Sequence, residues 1–479
     1  MLRALLHSNV HPVWVQLGGL VAFLLIIPFA RHVDPDFWWH LRTGELIVTS
    51  GLPSTDPFSW TAGGTAWVMH EWLSEALLYA VYTVFGYVGS VLMFGFAATG
   101  ALGLMYGLGR RAGAGTRVLV AVILLSTLLL GFVLTARPVV FTWLLFATFV
   151  YLIQRNDEGD HIPVWILPAL MALCANLHLG FVYGLMTVGI WVLARMYERF
   201  RGRDVDLKTP FLVLAACSLA PLLNPSGPAL YSHIVSYTFE GELERSVINE
   251  WRSPYFGTLI MFPLLAATAL MIGAILTRKV GAFLVLLSLA VIVLSTQAVR
   301  NVPFVALLLA PVVASALAQQ WRFARSESDS PTRMPALIAA AIVASVGALT
   351  LASVIQLNGP PGRVPSDQGY PQEGAAYIRE HLAGSRLLNG YGWGGYLIEE
   401  LYPDAKVFID GRADMYGPEL LRDYLTMTRT SLGWEALLDD YEIEAVLMAP
   451  VVPLSLSLAE SPEWKLVFEG EVEQIYVRK

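Results

Sequence analysis

Charge is scarce in this chain of 479 residues. Charged residues make up 14% of it and hydrophobic residues 56%, whereas soluble domains carry about 25% charged residues. The mean hydropathy of +0.57 points in the same direction. These values exclude an ordinary soluble protein and indicate an integral membrane protein.

Basic tracts are absent and cysteines are few. The net charge is a mild −7 and no run of Lys and Arg stands out, so we expect no nucleic-acid partner. Cys174 and Cys217, the two cysteines, both stand in apolar runs. They are predicted to be buried thiols rather than a disulfide, and they do not indicate a redox compartment.

Long apolar runs, in contrast, are frequent. A helix needs about 20 apolar residues to cross a bilayer, and somewhat fewer where flanking side chains reach the headgroups. On this measure the sequence predicts about eleven spans, the first of them retained because no small-residue cleavage site follows it. Their approximate bounds are 13–30, 87–108, 118–135, 138–153, 162–177, 179–196, 209–223, 255–276, 280–298, 302–319 and 334–356.

One shorter amphipathic segment, 71–85, follows the first span at some distance. Glu71 and Glu75 share one helical face, and Leu and Tyr residues occupy the other. This pattern predicts a helix that lies in the membrane interface rather than across it.

The distribution of Lys and Arg predicts the orientation. With a cytoplasmic N-terminus, the loops placed inside carry most of the basic residues that border the spans. The chain then divides into a transmembrane bundle (1–356) with a first external loop at 31–86, a Pro/Gly-rich linker (357–371) and a tail (372–479). In the tail, strand-like and helix-like runs alternate, which predicts a small extracytoplasmic α/β domain.

Polar side chains at the span borders all fall at the outer ends in this topology. Ionisable groups within a membrane cost about 2.5–3.5 kcal/mol each, so several at one depth indicate a polar site. Arginine suits a phosphate, and tryptophan suits a sugar ring or the bilayer interface. The candidate catalytic residues are Asp34, Asp36 and Glu71. The candidate substrate-binding residues are His40, His70, Arg137, Asn176, His178, Asn249, Glu250, Arg252, Arg300 and Asn301.

Each of these residue types also has a purely structural explanation. The two aspartates would equally cap a helix that begins near Phe37. Glu71 and its neighbour stand at a helix start, where a carboxylate is favoured by the helix dipole. The arginines near prolines would reach the headgroups, and the polar residues at 176 and 178 would bridge neighbouring helices. Both explanations stay open at this point.

The motifs around these residues resemble the GT-C superfamily of membrane glycosyltransferases, which includes protein O-mannosyltransferases, aminoarabinose transferases and oligosaccharyltransferase catalytic subunits. They are "DPDFWWHLRTGELIVTSGLPSTDPFSWTAGGTAWVMHEWLSEALLY", "ANLHLGF", "NPSG", "NEWRSP", "RNVPF", "GYGWGGYLIEE" and "VFIDGRADMYG". The resemblance implies a GT-C-like polytopic helical protein of the cell membrane that uses a polyprenyl-phosphate-linked sugar donor. The superfamily's first-loop base or metal-linked acid matches only Asp34 and Asp36. No "WWDYG" motif is present, so transfer to a protein asparagine is not implied.

Two motifs of the tail are ambiguous by themselves. "NGYGWGGY" lacks the Lys-Ser/Thr pair of a P-loop and is predicted to be a turn. Asp410 and Arg412 in "FIDGR" are predicted to pair with each other or to face the membrane site. The sequence leaves open whether a metal is bound; the candidates are Mg²⁺ and Mn²⁺.

We therefore predict an inverting glycosyltransferase with a first-loop aspartate as the base. The acceptor is predicted to be an extracytoplasmic lipid, protein or glycan, and the enzyme to be surrounded by membrane lipids. The first alternative is a transporter or flippase of a lipid-linked glycan, which would need polar groups near the bilayer midplane. The second is a non-catalytic membrane scaffold. The nature of the sugar is not predicted.

Overall fold

The computed structural model describes residues 9–10, 18–19, 21–22, 25, 33–239, 248–255, 258–317, 334–335 and 369–479. The predicted first and last spans and the linker lie largely outside these ranges. Two compact units emerge. The bundle unit comprises Met1–Arg31, Tyr87–Gly227 and Ile248–Pro361, and the sheet unit comprises His32–Gly86, Pro228–Val247 and Gly362–Lys479.

Helices make up most of the described chain. In chain order they are α1 (Pro35–Ser50), α2 (Trp72–Arg111), α3 (Thr116–Gly131), α4 (Val139–Asp157), α5 (Leu167–Leu177), α6 (Phe181–Phe200), α7 (Lys208–Leu219), α8 (Ala229–Phe239), α9 (Met261–Leu276), α10 (Ala282–Gln297), α11 (Val302–Leu317), α12 (Gln372–His381), α13 (Gly394–Leu401), α14 (Ala413–Thr428), α15 (Trp434–Asp440) and α16 (Pro453–Glu460). Short 3₁₀ turns occupy Val164–Ile166, Ala220–Leu223, Asn249–Trp251, Val299–Asn301 and Tyr391–Trp393.

Helix α2 is broken at Gly86, which has a positive φ of 62°. Left-handed backbone of this kind is accessible to glycine at little cost. The break falls between the segment predicted to be interfacial, 71–85, and the span predicted to start at 87. The first part of α2 belongs to the sheet unit and the second to the bundle unit.

The bundle unit is built around α11. Almost all of its side chains are buried, and it packs against α3, α9 and α10. Ser126 Oγ of α3 donates a hydrogen bond to the Ala306 carbonyl oxygen at 2.6 Å. Cys174 and Cys217 are free, buried thiols, as predicted.

Within the described residues, three helical segments are long and apolar enough to cross a membrane, by length and composition. They are Trp72–Arg111, Val139–Asp157 and Val299–Leu317. Shorter apolar helices occupy Thr116–Gly131, Val164–Leu177, Lys208–Leu223, Met261–Leu276 and Ala282–Gln297. The count of about eleven spans stays a prediction.

The sheet unit contains four strands, β3 (Leu387–Asn389), β4 (Ala445–Met448), β5 (Trp464–Glu469) and β6 (Gln474–Arg478). They form one sheet in the order β3-β4-β6-β5. The pair β3–β4 is parallel and the other two pairs are antiparallel. Away from this unit's sheet, β1 (Asn9–Val10) pairs with β2 (Met334–Pro335). In "NGYGWGGY" the chain runs from β3 through a 3₁₀ turn into α13.

The first loop packs with the C-terminal segment in the sheet unit. The backbone at Phe58 and Trp60 exchanges hydrogen bonds of 3.1 Å with Val407. The Trp60 indole N–H donates to the Leu387 carbonyl oxygen, also at 3.1 Å. Helix α1 lies against α13. The first loop and the C-terminal segment thus belong to one compact unit.

A buried ion network reinforces this packing. The Arg412 guanidinium contacts Asp56 Oδ1 at 2.8 Å and Asp410 Oδ2 at 2.6 Å, and the Tyr416 hydroxyl donates to Asp410 Oδ2 at 2.5 Å. Burial by itself raises the pKa of Asp56, but Arg412 and hydrogen bonds from Ser59 and the backbone bring it below its ordinary value. Of the two alternatives for "FIDGR", the pair between Asp410 and Arg412 is thus observed.

Candidate functional site

Two groups of histidines and carboxylates meet at Glu71 in the sheet unit. The carboxylate cluster consists of His40, Glu71 and Glu75, and the histidine cluster consists of His70, His233 and Asp414. In each cluster the potential metal-binding atoms lie within 4.8 Å of one another.

The carboxylate cluster forms where α1 crosses the start of α2. His40 Nδ1 lies 3.1 Å from Glu75 Oε1 and its Nε2 lies 3.5 Å from Glu71 Oε2. The crossing is close because position 44 is glycine: a Cβ there would lie 2.1 Å from the Glu75 carbonyl oxygen. Residues four apart on a helix share a face, so both glutamates reach the same histidine.

The histidine cluster joins three separate chain segments. His70 precedes α2, His233 lies on α8 and Asp414 lies in the first turn of α14. His233 Nε2 is 3.2 Å from Asp414 Oδ2, and the two imidazole rings stack with centroids 5.4 Å apart. Glu71 Oε1 lies 3.6 Å from His70 Nε2, so the same carboxylate reaches both clusters.

Neighbouring charges shift the pKa values of His70 and Asp414 in this cluster. Burial by itself lowers the pKa of His70, but the hydrogen bond and charge of Glu71, with Asp414 and Glu75, raise it to about 9. Burial also raises the pKa of Asp414, and the neighbouring His233 and His70 bring it below its ordinary value. The neighbouring carboxylates thus favour the protonated form of His70.

The carboxylate cluster fits a divalent cation. Glu75 is only 2% exposed, and its Oε2 has no hydrogen-bond partner among the described residues. A small cavity beside it is lined by Trp39, Trp67, Val68, Met69, His70, Glu71 and Glu75. A buried carboxylate oxygen without a partner is costly, and a cation would satisfy it. Two carboxylates and an imidazole suit Mn²⁺ better than Mg²⁺, which prefers oxygen ligands alone.

The two first-loop aspartates have different surroundings. Asp34 is the N-cap of α1, and its carboxylate accepts a hydrogen bond from the Asp36 backbone N–H at 3.0 Å. Asp36 lies in the first turn, with its carboxylate against Gly411: a Cβ built there would be 1.8 Å from Asp36 Oδ1. The helix begins at Pro35, slightly before the predicted start near Phe37. The capping explanation therefore describes Asp34, and the Asp36 carboxylate lies close to the "FIDGR" turn.

In the bundle unit, the predicted phosphate-binding arginines surround a short turn, Asn249–Trp251. Arg137 forms an ion pair with Glu250, and the Arg300 guanidinium lies 4.1 Å from the centre of the Trp251 ring. Arg137 holds the pKa of Glu250 below its ordinary value against the opposing effect of burial, with help from Arg300. The Glu250 side chain is 48% exposed and that of Arg137 24%, so the pair is partly accessible to solvent.

The remaining predicted polar residues of the bundle unit make packing hydrogen bonds. His178 Nδ1 accepts from the Gly180 N–H at 2.9 Å and lies 2.8 Å from Thr142 Oγ1. Asn176 donates to the Ala172 carbonyl oxygen, and Asn301 accepts from the Tyr183 hydroxyl and donates to the Leu294 carbonyl oxygen. The Arg252 carbonyl oxygen accepts from the Val299 N–H, and Asn249 lies in the adjoining turn. The contact of His178 with Thr142 bridges two helices, as the structural explanation expects, whereas the Asn176 bond stays within α5.

Sequence reasoning missed three members of these clusters. Glu75 was noticed as a partner of Glu71 on one helical face, but no site role followed. His233 and Asp414 receive no site role from the sequence. No local pattern marks them, since their partners come from distant parts of the chain.

The chain is similar in structure to three groups of solved membrane glycosyltransferases. The archaeal oligosaccharyltransferase AglB from Archaeoglobus fulgidus, in complex with an inhibitory peptide and a dolichol-phosphate, matches with a TM-score of 0.56 and 12% identity over 92% of this chain and 69% of that one. The mycobacterial arabinofuranosyltransferase AftD matches with a TM-score of 0.52 and 15% identity over 98% of this chain and 40% of that one. ArnT from Cupriavidus metallidurans, in the apo state, matches with a TM-score of 0.52 and 13% identity over 95% of both chains.

No protein-family model and no curated protein sequence matches the chain. Identities of this size establish the fold alone. This protein has the GT-C glycosyltransferase fold. The resemblance inferred from the sequence motifs is thereby confirmed at the level of the fold, which is mostly helical in the described residues.

Proposed function

We propose that this protein is a membrane glycosyltransferase that moves a sugar from a polyprenyl-phosphate-linked donor to an extracytoplasmic acceptor. The observation that carries the proposal is the GT-C fold over nearly the whole chain, because the similar AglB structure contains a dolichol-phosphate. The acidic, histidine-containing first loop supports it, since the superfamily resemblance assigns the base or metal-linked acid to that loop.

The proposed base is Asp36. One carboxylate oxygen of Asp34 already caps α1, whereas the Asp36 carboxylate lies against Gly411 of the "FIDGR" turn. The carboxylate would accept the proton of the acceptor hydroxyl while the hydroxyl oxygen bonds to the anomeric carbon. The bond from that carbon to the phosphate oxygen breaks in the same step, so a single displacement inverts the anomeric configuration.

The departing phosphate is the proposed ligand of the arginine patch. Arg137 and Arg300 carry positive charge next to the exposed Glu250, and guanidinium groups match phosphate oxygens through paired hydrogen bonds. Arg252 is a further candidate in the same patch. A phosphate would replace Glu250 as the partner of Arg137. These cations would stabilise the negative charge that develops on the leaving group.

The carboxylate cluster is the proposed site for a divalent cation of the Mn²⁺ type. His40, Glu71 and Glu75 would hold it, and when bound it would supply positive charge as a Lewis acid. Glu71 then acts as a ligand and not as the base. The external position of the first loop and the C-terminal segment, and the cytoplasmic N-terminus, are part of the same proposal.

The proposal is tested by deleting the gene and comparing envelope lipids, proteins and glycans by mass spectrometry. We expect one sugar mass to disappear, to return with the wild-type gene, and to stay absent with Asp36→Asn. Asp404→Asn, a matched change at an exposed carboxylate of the sheet unit, should restore it. Full restoration by both Asp34→Asn and Asp36→Asn at normal expression would favour a non-catalytic scaffold. Uptake of a lipid-linked glycan by liposomes that carry the protein would favour a transporter.

A further inference from the structure

Glu250 lies on a short turn of the bundle unit that is joined to the turn carrying Arg300. The Arg252 carbonyl oxygen accepts a hydrogen bond from the Val299 N–H at 3.0 Å. The Arg300 guanidinium lies 4.1 Å from the centre of the Trp251 ring, next to Glu250 in the chain. These contacts keep the carboxylate and the arginine in the same part of the unit.

Several basic groups act on the Glu250 carboxylate. Arg137 forms an ion pair with it and lowers its pKa most, and Arg300 and His178 lower that pKa further, against the effect of burial. The Glu250 side chain nevertheless remains 48% exposed. Because ion pairs that are open to solvent are weak, an anion of higher charge would displace this carboxylate at little cost.

We infer that Glu250 is a built-in competitor of the lipid phosphate, which speeds release of the spent polyprenyl phosphate from the arginine patch. This inference rests on the proposed function, which assigns the departing phosphate to Arg137 and Arg300. The carboxylate already pairs with Arg137, so a phosphate must exchange with it on binding. The carboxylate then regains its partner when the phosphate leaves.

The charge of the lipid changes during the proposed transfer, which explains why a competitor is useful. A sugar-linked polyprenyl phosphate is a phosphodiester with one negative charge, whereas a free phosphate monoester carries about −1.5 to −2 at pH 7. Arginines alone would therefore retain the product more tightly than the donor. A neighbouring carboxylate repels the product more strongly than the donor and offsets this difference.

Lipid binding to the full chain in detergent tests the inference. The probes are polyprenyl phosphate, its methyl ester with one charge, and uncharged polyprenol. Glu250→Gln should tighten binding of polyprenyl phosphate about tenfold, chiefly through slower release, and binding of the methyl ester about threefold. Binding of polyprenol should not change. The matched control is Glu158→Gln, which removes the carboxylate from another partly exposed ion pair of the bundle unit, with Arg111, and should alter none of the three affinities.

Two further variants separate competition from a structural role. Glu250→Asp keeps the negative charge and should bind polyprenyl phosphate with nearly the wild-type affinity. In an Arg137→Gln background, Glu250→Gln should lose most of its gain in affinity, because there is no longer an ion pair to break. A purely structural glutamate would give weaker binding when replaced, and not tighter binding.

Three outcomes would overturn the inference. The Glu250→Gln protein binds polyprenyl phosphate no more tightly than the wild-type protein; it gains as much affinity for polyprenol; or the gain is equally large in the Arg137→Gln background. In each case the phosphate site itself stands if the wild-type protein prefers polyprenyl phosphate to polyprenol. Loss of that preference would contradict the proposed function, and this inference with it.

Discussion

Replacing Arg412 by methionine should strongly destabilise the sheet unit. The guanidinium is 2% exposed and makes charged contacts with Asp56 and Asp410, both 0% exposed. Its removal leaves two buried carboxylates without their counter-charge. Removing one partner of a buried ion pair costs about 3–5 kcal/mol, a large part of the about 5–15 kcal/mol that stabilises a folded domain. The corresponding fall in unfolding temperature is about 6–20 °C.

The pH dependence of this loss has a defined sign. In the wild-type protein the pKa of Asp56 is below its ordinary value. Its contribution to stability is therefore present above the unfolded pKa and is lost as the pH falls through the folded one. In the Arg412→Met protein the same carboxylate is buried without a cation, which favours its protonated form. The stability deficit of the variant should therefore shrink between pH 8 and pH 5.

The assay is thermal unfolding of the purified full chain, followed by tryptophan fluorescence. Trp67 reports locally, because its ring lies 4.6 Å from the Arg412 guanidinium carbon. The control is Arg422→Met, the same change at an exposed position of the same helix, α14. Unfolding temperatures that agree for the two variants, or a deficit that grows towards pH 5, would refute the reasoning.

Three further predictions concern close approaches and charge. Gly411→Ala should displace the Asp36 carboxylate, since a Cβ at position 411 would lie 1.8 Å from Asp36 Oδ1. The rate of sugar transfer should fall strongly, while the unfolding temperature changes little. Gly44→Val should lower stability by about 1–3 kcal/mol through overpacking of α1 against α2, measured by thermal unfolding, and an unchanged midpoint would contradict the observed crossing. Arg300→Gln should weaken binding of polyprenyl phosphate by about 10- to 100-fold, as expected for a charged hydrogen bond of about 1.5–3 kcal/mol, whereas Arg201→Gln at an exposed site should not. Equal affinities of the Arg300→Gln and wild-type proteins would exclude Arg300 from the phosphate site.

Local features of the fold were predictable because local rules produce them. Asp34 followed by Pro35 specifies a helix start, and the structure places the N-cap there. The glycine at 86 separates an amphipathic segment from a longer apolar one, and the helix breaks at that residue. Buried thiols in apolar runs follow from composition alone.

The convergence of residues from distant segments was not predictable in the same way. His40 meets Glu75 because α1 crosses α2 at Gly44, and nothing in either segment specifies that crossing. Asp56 and Arg412 come into contact only when the first loop packs against the C-terminal segment. The amide of Asn176 donates to a carbonyl of its own helix, and that of Asn301 donates to Leu294 near the end of α10. The role of every candidate site residue stays a prediction.

The central claim is tested most directly by incubating the purified protein with total polyprenyl-phosphate-linked sugars and envelope acceptors. Free polyprenyl phosphate and the glycosylated product would be measured together by mass spectrometry. We expect both to appear in equal amounts with the wild-type protein, and the rate to fall about 10²- to 10⁴-fold with Asp36→Asn, as for loss of a general base. Polyprenyl phosphate release at the wild-type rate by the Asp36→Asn protein, or no release by the wild-type protein, would contradict the account.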